Sequence, residues 1–110
     1  MTRKDLAWAA FRSLATNQDI KPGRETDAMI AQAMGWPAER QQSGRWVYRR
    51  KGYGPWYSLP AWSMSLDIAI RLYAAPPPTV PSNPLDCCLD ALRRHWGQSI
   101  RQESPDHAEA

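Results

Sequence analysis

Apolar residues recur at helical spacing in four stretches of this chain and alternate with polar ones in a fifth. Leu6, Ala7, Ala10, Phe11 and Leu14 form one stripe, which predicts a helix over residues 3–16. Thr2 is placed to cap it, with Asp5 three residues on as in a capping box. Thr16-Asn17-Gln18-Asp19 breaks the pattern, and Lys21-Pro22-Gly23 signals a turn. Met29, Ile30, Ala33 and Met34 give a second stripe, and hence a helix over residues 25–34. Glu25 and Asp27 lie in its first turn, where the helix dipole favours negative charge; Gly35 and Pro37 end it. A third stripe, Leu66, Ala69, Ile70 and Tyr73 with help from Leu72, follows Ser63 or Ser65 as cap and stops at Pro76-Pro77-Pro78. Leu85, Cys88, Leu89, Leu92 and Trp96 make the fourth. Asn83 caps that helix, Pro84 takes its first position, and Gly97 is the expected end.

Between the second and third stripes the period changes from helical to alternating. Ala38 to Gly44 reads as a polar link. Trp46 and Tyr48 then point to one side and Val47 and Arg49 to the other, as on a strand. Gly52-Tyr53-Gly54-Pro55 makes a reversal, Trp56 to Leu59 returns, and Pro60 terminates the strand. The order is helix, helix, hairpin, helix, a stiff extended spacer over residues 76–82, helix. This predicts an α+β fold: a small antiparallel hairpin or sheet packed with about four helices in helix/sheet/helix layers. A two-stranded hairpin is not stable alone. Either the helices cover it or a partner supplies a strand. One globular domain is expected over residues 1–101, followed by a disordered acidic tail over residues 102–110.

Composition narrows the picture. A chain of 110 residues supports one modest core, and its six tryptophans bury much area for so short a length. The net charge of +3 permits an acidic partner but is far from a histone-like excess. Cys87 and Cys88 are adjacent, which seldom meets disulfide geometry, so a reducing cytoplasm is expected. The N-terminus has no signal-peptide pattern, and no apolar run approaches the roughly 20 residues of a membrane span.

Candidate chemistry is sparse. Cys87, Cys88, His95 and His107 lack the two closely spaced pairs of a structural zinc site, so no metal and no cofactor is expected. Cys87 reads as the more exposed thiol, but Asp86 and Asp90 beside it on the helix would raise its pKa, the wrong direction for a nucleophile. Gly52 and Gly54 lack the spacing and the Lys-Ser/Thr of a phosphate-binding loop. No catalytic residue is assigned. The strongest candidate is the segment RWVYRRKGYGPWY, residues 45–57, with four cations, five aromatics and two glycines. Arg45, Arg49, Arg50 and Lys51 suit phosphates while Tyr53, Trp56 and Tyr57 suit base stacking. The same residue types make protein interfaces. Equally, Trp46, Tyr48 and Trp56 could be core, with the cations as a solvated face. Trp8 and Trp62 lie off the stripes and mark either an interface or a second buried face.

Three segments in order resemble the phage ABA sandwich domain family: ETDAMIAQAMGW at residues 25–36, PAWSMSLDIAIRLY at residues 60–73, and NPLDCCLDALRRH at residues 83–95. The likeness covers roughly residues 24–96, with the aromatic hairpin between the first two segments. It implies a phage or prophage origin and a layered helix/sheet/helix fold, and no catalytic residues. Relatives often carry a further Trp-rich strand or two where this chain has only AAPPPTVPS. One sheet edge is therefore expected to be open to a partner strand or to a second copy as a homodimer. The expected function is a non-enzymatic accessory protein in the bacterial host cytoplasm. It would bind and sterically inhibit a host protein or nucleoprotein complex, as an anti-CRISPR or other anti-defence inhibitor. A small nucleic-acid-binding regulator is the alternative. A sponge holding a nucleotide signal between protomers is the third.

Overall fold

The computed structural model describes the backbone of residues 3–103 and the side chains of residues 4–97. The helices are α1 (Arg3–Thr16), α2 (Arg24–Ala33), α3 (Leu66–Ala69) and α4 (Pro84–Glu103), and the strands are β1 (Ala38–Arg40), β2 (Trp46–Tyr48) and β3 (Tyr57–Ser58). Among the described residues, then, four α-helices accompany one antiparallel sheet of order β1-β2-β3, the expected α+β fold. The proposed cap Thr2, the ligand candidate His107 and residues 104–110 of the expected tail lie outside the described residues.

Helix α2 is the centre of the molecule. It packs on α1, on β1 and β2, and on α4, and six of its ten residues are buried. Its ending follows from Gly35, which adopts φ 86°. That left-handed conformation lets the Trp36 N–H reach the Ala31 carbonyl at 2.9 Å and the Gly35 N–H reach the Gln32 carbonyl at 2.9 Å. The pair of bonds is a Schellman cap, and it fixes where Trp36 leaves the helix.

The segment expected to be a polar link is a strand and a turn instead. Residues Ala38, Glu39 and Arg40 pair with Tyr48, Val47 and Trp46. The Gln41 N–H bonds the Arg45 carbonyl and the Gly44 N–H bonds the Gln41 carbonyl, both at 2.8 Å, with Gly44 at φ 90°. This is a three-residue hairpin loop closed by a glycine in the left-handed region. The third strand therefore comes from the chain itself and not from a partner. The reversal on the other side is also present: Val47 pairs with Ser58 and Tyr48 with Tyr57.

Three further expectations are corrected. Leu6 is 57% exposed, because the buried face of α1 runs through Ala7 and Leu14, with Ala10 and Phe11 partly covered. The third helix is broken: α3 gives way to a 3-10 turn over Ile70–Leu72. Helix α4 does not stop at Gly97 but continues to Glu103, two residues into the expected tail. A glycine inside a helix costs about 1 kcal/mol and does not by itself end one. The start of α4 is as expected, with Asn83 Oδ1 accepting from the Leu85 N–H at 2.9 Å and the Asp86 N–H at 3.3 Å.

The core brings together Leu14, Ile30, Leu59, Trp62, Leu72, Cys87, Cys88 and Leu92. Trp62 is 3% exposed, so it belongs to a second buried face and not to an interface. A polar network crosses this core. Asp27, wholly buried, accepts from the Ser63 N–H at 2.8 Å and from Arg24 Nη1 at 3.0 Å. Arg24 Nη2 also donates to the Leu59 carbonyl. Ser63 is thus no helix cap. Its hydroxyl bonds both the N–H and the carbonyl of Gly23, at 3.0 and 3.2 Å, and ties the start of α2 to the chain leaving the sheet.

Candidate functional site

The connection from β2 to β3 carries most of the residues singled out in the sequence. Arg49 leaves β2 with its N–H on the Pro37 carbonyl at 3.0 Å. Its guanidinium lies over the Trp56 ring at 4.2 Å, and Nη1 donates to the Gly54 carbonyl at 3.3 Å. Arg49 and Trp56 are half-buried. They close the loop across its own base, so their first task is to hold its shape. The Arg49 Nε is buried with no hydrogen-bond partner among the described residues.

The other five residues are exposed. Arg50 lies over Trp36 at 4.6 Å, and Lys51 Nζ is 5.8 Å from the Tyr53 ring. Arg45 donates from Nη2 to Ser58 Oγ at 2.7 Å, across the β2–β3 pair. Tyr53 is 72% exposed and Tyr57 55%. Tyr57 lies on β3, an outer strand of the sheet. Exposed cation–aromatic pairs contribute about 0.5–1 kcal/mol each, enough to bias these side chains but not to bury them. No acidic residue interrupts the chain from Arg45 to Tyr57.

The aromatics of the segment divide by face. Tyr48 packs inward, with its ring 5.5 Å from Trp62 and 5.9 Å from Trp36. Trp46 is half-buried against the core, with Arg40 5.9 Å over its ring. The aromatics of the hairpin therefore fall into two sets: Trp46 and Tyr48 pack against the core, while Tyr53 and Tyr57 face out. Trp36 went unnoticed as a surface-shaping residue. Its signal was its place immediately after the glycine that ends α2.

Beside Arg49 and Trp56 runs a groove of about 560 Å³, lined also by Leu6, Trp36, Pro37, Ala38 and Glu39. Trp8, 37% exposed, sits nearby on α1 at the edge of an aromatic cluster, 5.0 Å from Trp96 and 5.6 Å from Phe11.

The two cysteines are not surface nucleophiles. Cys87, expected to be the more exposed, is fully buried, as is Cys88. Burial pushes both thiols up, and Asp90 adds to the rise at Cys87. The Cys88 thiol donates to the Trp62 carbonyl at 3.1 Å. Among the described residues no three His, Cys, Asp or Glu side chains are grouped to hold a metal ion. No described helix is long and apolar enough to cross a membrane.

No family model matches this chain, and no curated protein and no solved structure matches it.

Proposed function

We propose that this chain is a non-enzymatic phage or prophage accessory protein that binds a host bacterial protein and blocks it sterically in the cytoplasm. An anti-CRISPR or other anti-defence inhibitor is the form this takes. The phage origin is part of the proposal and rests on the resemblance of residues 24–96 to the phage ABA sandwich domain.

The observation that carries the reading is the exposed rim of Arg45, Arg50, Lys51, Tyr53 and Tyr57 on a loop braced by the Arg49–Trp56 stack. Arginine and tyrosine held in place before binding lose little conformational entropy on contact, which favours hot spots. The outer edge of β3 adds a second means of attachment, a short unpaired ladder that a partner strand or a second copy can extend.

Arg49 is a poor probe of this surface, since replacing it would collapse the loop. Lys51 and Tyr53 are exposed and carry no such brace. The test compares tagged wild type with a Lys51→Glu/Tyr53→Ala double variant, both used to capture partners from nuclease-treated bacterial lysate. A stoichiometric host protein held by wild type and lost by the variant supports the reading. Equal capture by both removes the hairpin from the interface. Capture of nucleic acid alone, lost on digestion, would favour the regulator reading, with an affinity that falls steeply as salt rises.

A further inference from the structure

A second concavity lies between the 3-10 turn and α4, and shares Trp36 with the hairpin groove. Its volume is about 270 Å³. Arg50, Arg71 and Arg94 line it together with His95, over an apolar floor that includes Leu72 and Ala91. Three arginines thus line one small hollow, and no acidic residue lines it.

The three are not equally occupied. Arg94 donates through Nε to Asp90 Oδ2 at 3.1 Å, which leaves its two terminal amino groups free of that bond. Asp90 is in turn held by the Tyr73 hydroxyl at 2.5 Å. This chain of contacts fixes where Arg94 points before any ligand arrives. Arg50 rests over Trp36, another lining residue. Arg71 is exposed and has no hydrogen bond or ion pair among the described residues. Like charges gathered at close quarters repel, and a bound anion of matching shape relieves that repulsion. The planar guanidinium fork fits the oxygens of a phosphate two at a time.

The size of the hollow limits what enters. It falls just below the range for drug-sized ligand sites, roughly 300–1,000 Å³, so a small metabolite fits and a folded partner does not. A phosphate monoester carries close to two negative charges near neutral pH, whereas the linkages of a nucleic-acid backbone carry one each. Three arginines set against the one carboxylate of Asp90 leave a net charge of two, which matches the former better.

We propose that this hollow binds the terminal phosphate of a small phosphate monoester, with Arg71 and Arg94 gripping the oxygens and the Leu72–Ala91 floor carrying the ligand's body. His95 completes the wall as an uncharged hydrogen-bonding ring. This site is separate from the hairpin rim except for Arg50, which is left out of the test for that reason.

The experiment is an amide NMR titration of the full chain with adenosine monophosphate, inorganic phosphate and adenosine, with affinities from calorimetry. Saturable shifts at residues 71–75 and 91–95 are expected with the two phosphate-bearing probes and not with adenosine. Arg71→Ala and Arg94→Ala should each weaken binding about tenfold, the usual loss of one charge-assisted contact. Arg45→Ala, on the hairpin, should leave it unchanged. Equal affinity for both phosphate probes would identify free phosphate as the ligand, and tighter binding of the ester would identify a monoester. The proposal falls if neither probe gives saturable shifts at those residues at millimolar concentration, or if binding persists undiminished in both folded variants. Neither result would touch the host-protein reading, whose test uses Lys51 and Tyr53.

Discussion

Asp27 shows how much one side chain can decide. From its place in the first turn of α2 it reads as a dipole partner, a role worth a few tenths of a kcal/mol. In the folded chain it is wholly buried, and it orders both Arg24 and the backbone of Ser63. Burial raises its pKa, and the bonds from Ser63 and Arg24 partly offset that rise. Asp27→Ala leaves the buried Ser63 N–H without its acceptor and the partly exposed Arg24 guanidinium without its carboxylate, so unfolding in urea should show a loss of about 2 kcal/mol. A loss near zero would mean that the network contributes nothing to stability. His95 supplies a pH dependence. Burial lowers its pKa in the folded chain below the ordinary 6.5. As pH falls through 6.5 the unfolded chain takes up the proton first, so stability declines until the folded-state pKa is reached and then levels off. Urea midpoints measured down this range should show the decline in wild type and lose it in His95→Gln. An unchanged slope in the variant would assign the decline to another group.

The two glycines near helix ends behave in opposite ways, and the reason is backbone geometry. Gly35 at φ 86° caps α2, where any other residue is strained. Gly97 sits within α4, and a Cβ built on it meets nothing within 4 Å. Gly35→Ala should therefore destabilise by about 1 kcal/mol or more, while Gly97→Ala should stabilise by about 0.5–1 kcal/mol. Thermal midpoints moving in the same direction would contradict this. The helices with caps and apolar stripes were legible from the chain: α1 and the starts of α2 and α4 fall within a residue of expectation. Strand β1 was not. Ala38, Glu39 and Arg40 include no β-branched or aromatic residue, and three residues are too few to show a period. What makes them a strand is Trp46–Tyr48 lying alongside.

The molecule as a whole is held at its helical end by Trp96. Its indole N–H donates to the Ala33 carbonyl at 2.9 Å, so α4 satisfies an open acceptor at the end of α2. Trp8 and Phe11 of α1 pack on the same ring, at 5.0 and 6.1 Å. Trp96→Phe keeps most of the packing but leaves that carbonyl unpaired, an expected cost of about 1–3 kcal/mol in urea unfolding. An unaltered midpoint would show that water replaces the bond. The candidate surfaces depend on the same long-range assembly. Four cations and five aromatics were visible in residues 45–57, but not which would be braces and which would be free. The hollow with Arg50, Arg71 and Arg94 could not be read at all, since those residues come from three segments that are far apart along the chain.

Local rules were enough for what is local. Helical period, a capping Asn83, a terminating Gly35 and the glycine-rich reversal after Arg49 follow from steric and hydrogen-bonding constraints within a few residues. Those constraints settled an α+β chain with a basic aromatic loop. Burial is not local. Whether Cys87 faced water, whether Asp27 kept a solvated charge, and whether Leu6 or Ala7 turned inward depended on which surfaces α2, α4 and the sheet presented to one another. Apolar area removed from water is summed over the whole assembly, and no window of sequence contains that sum.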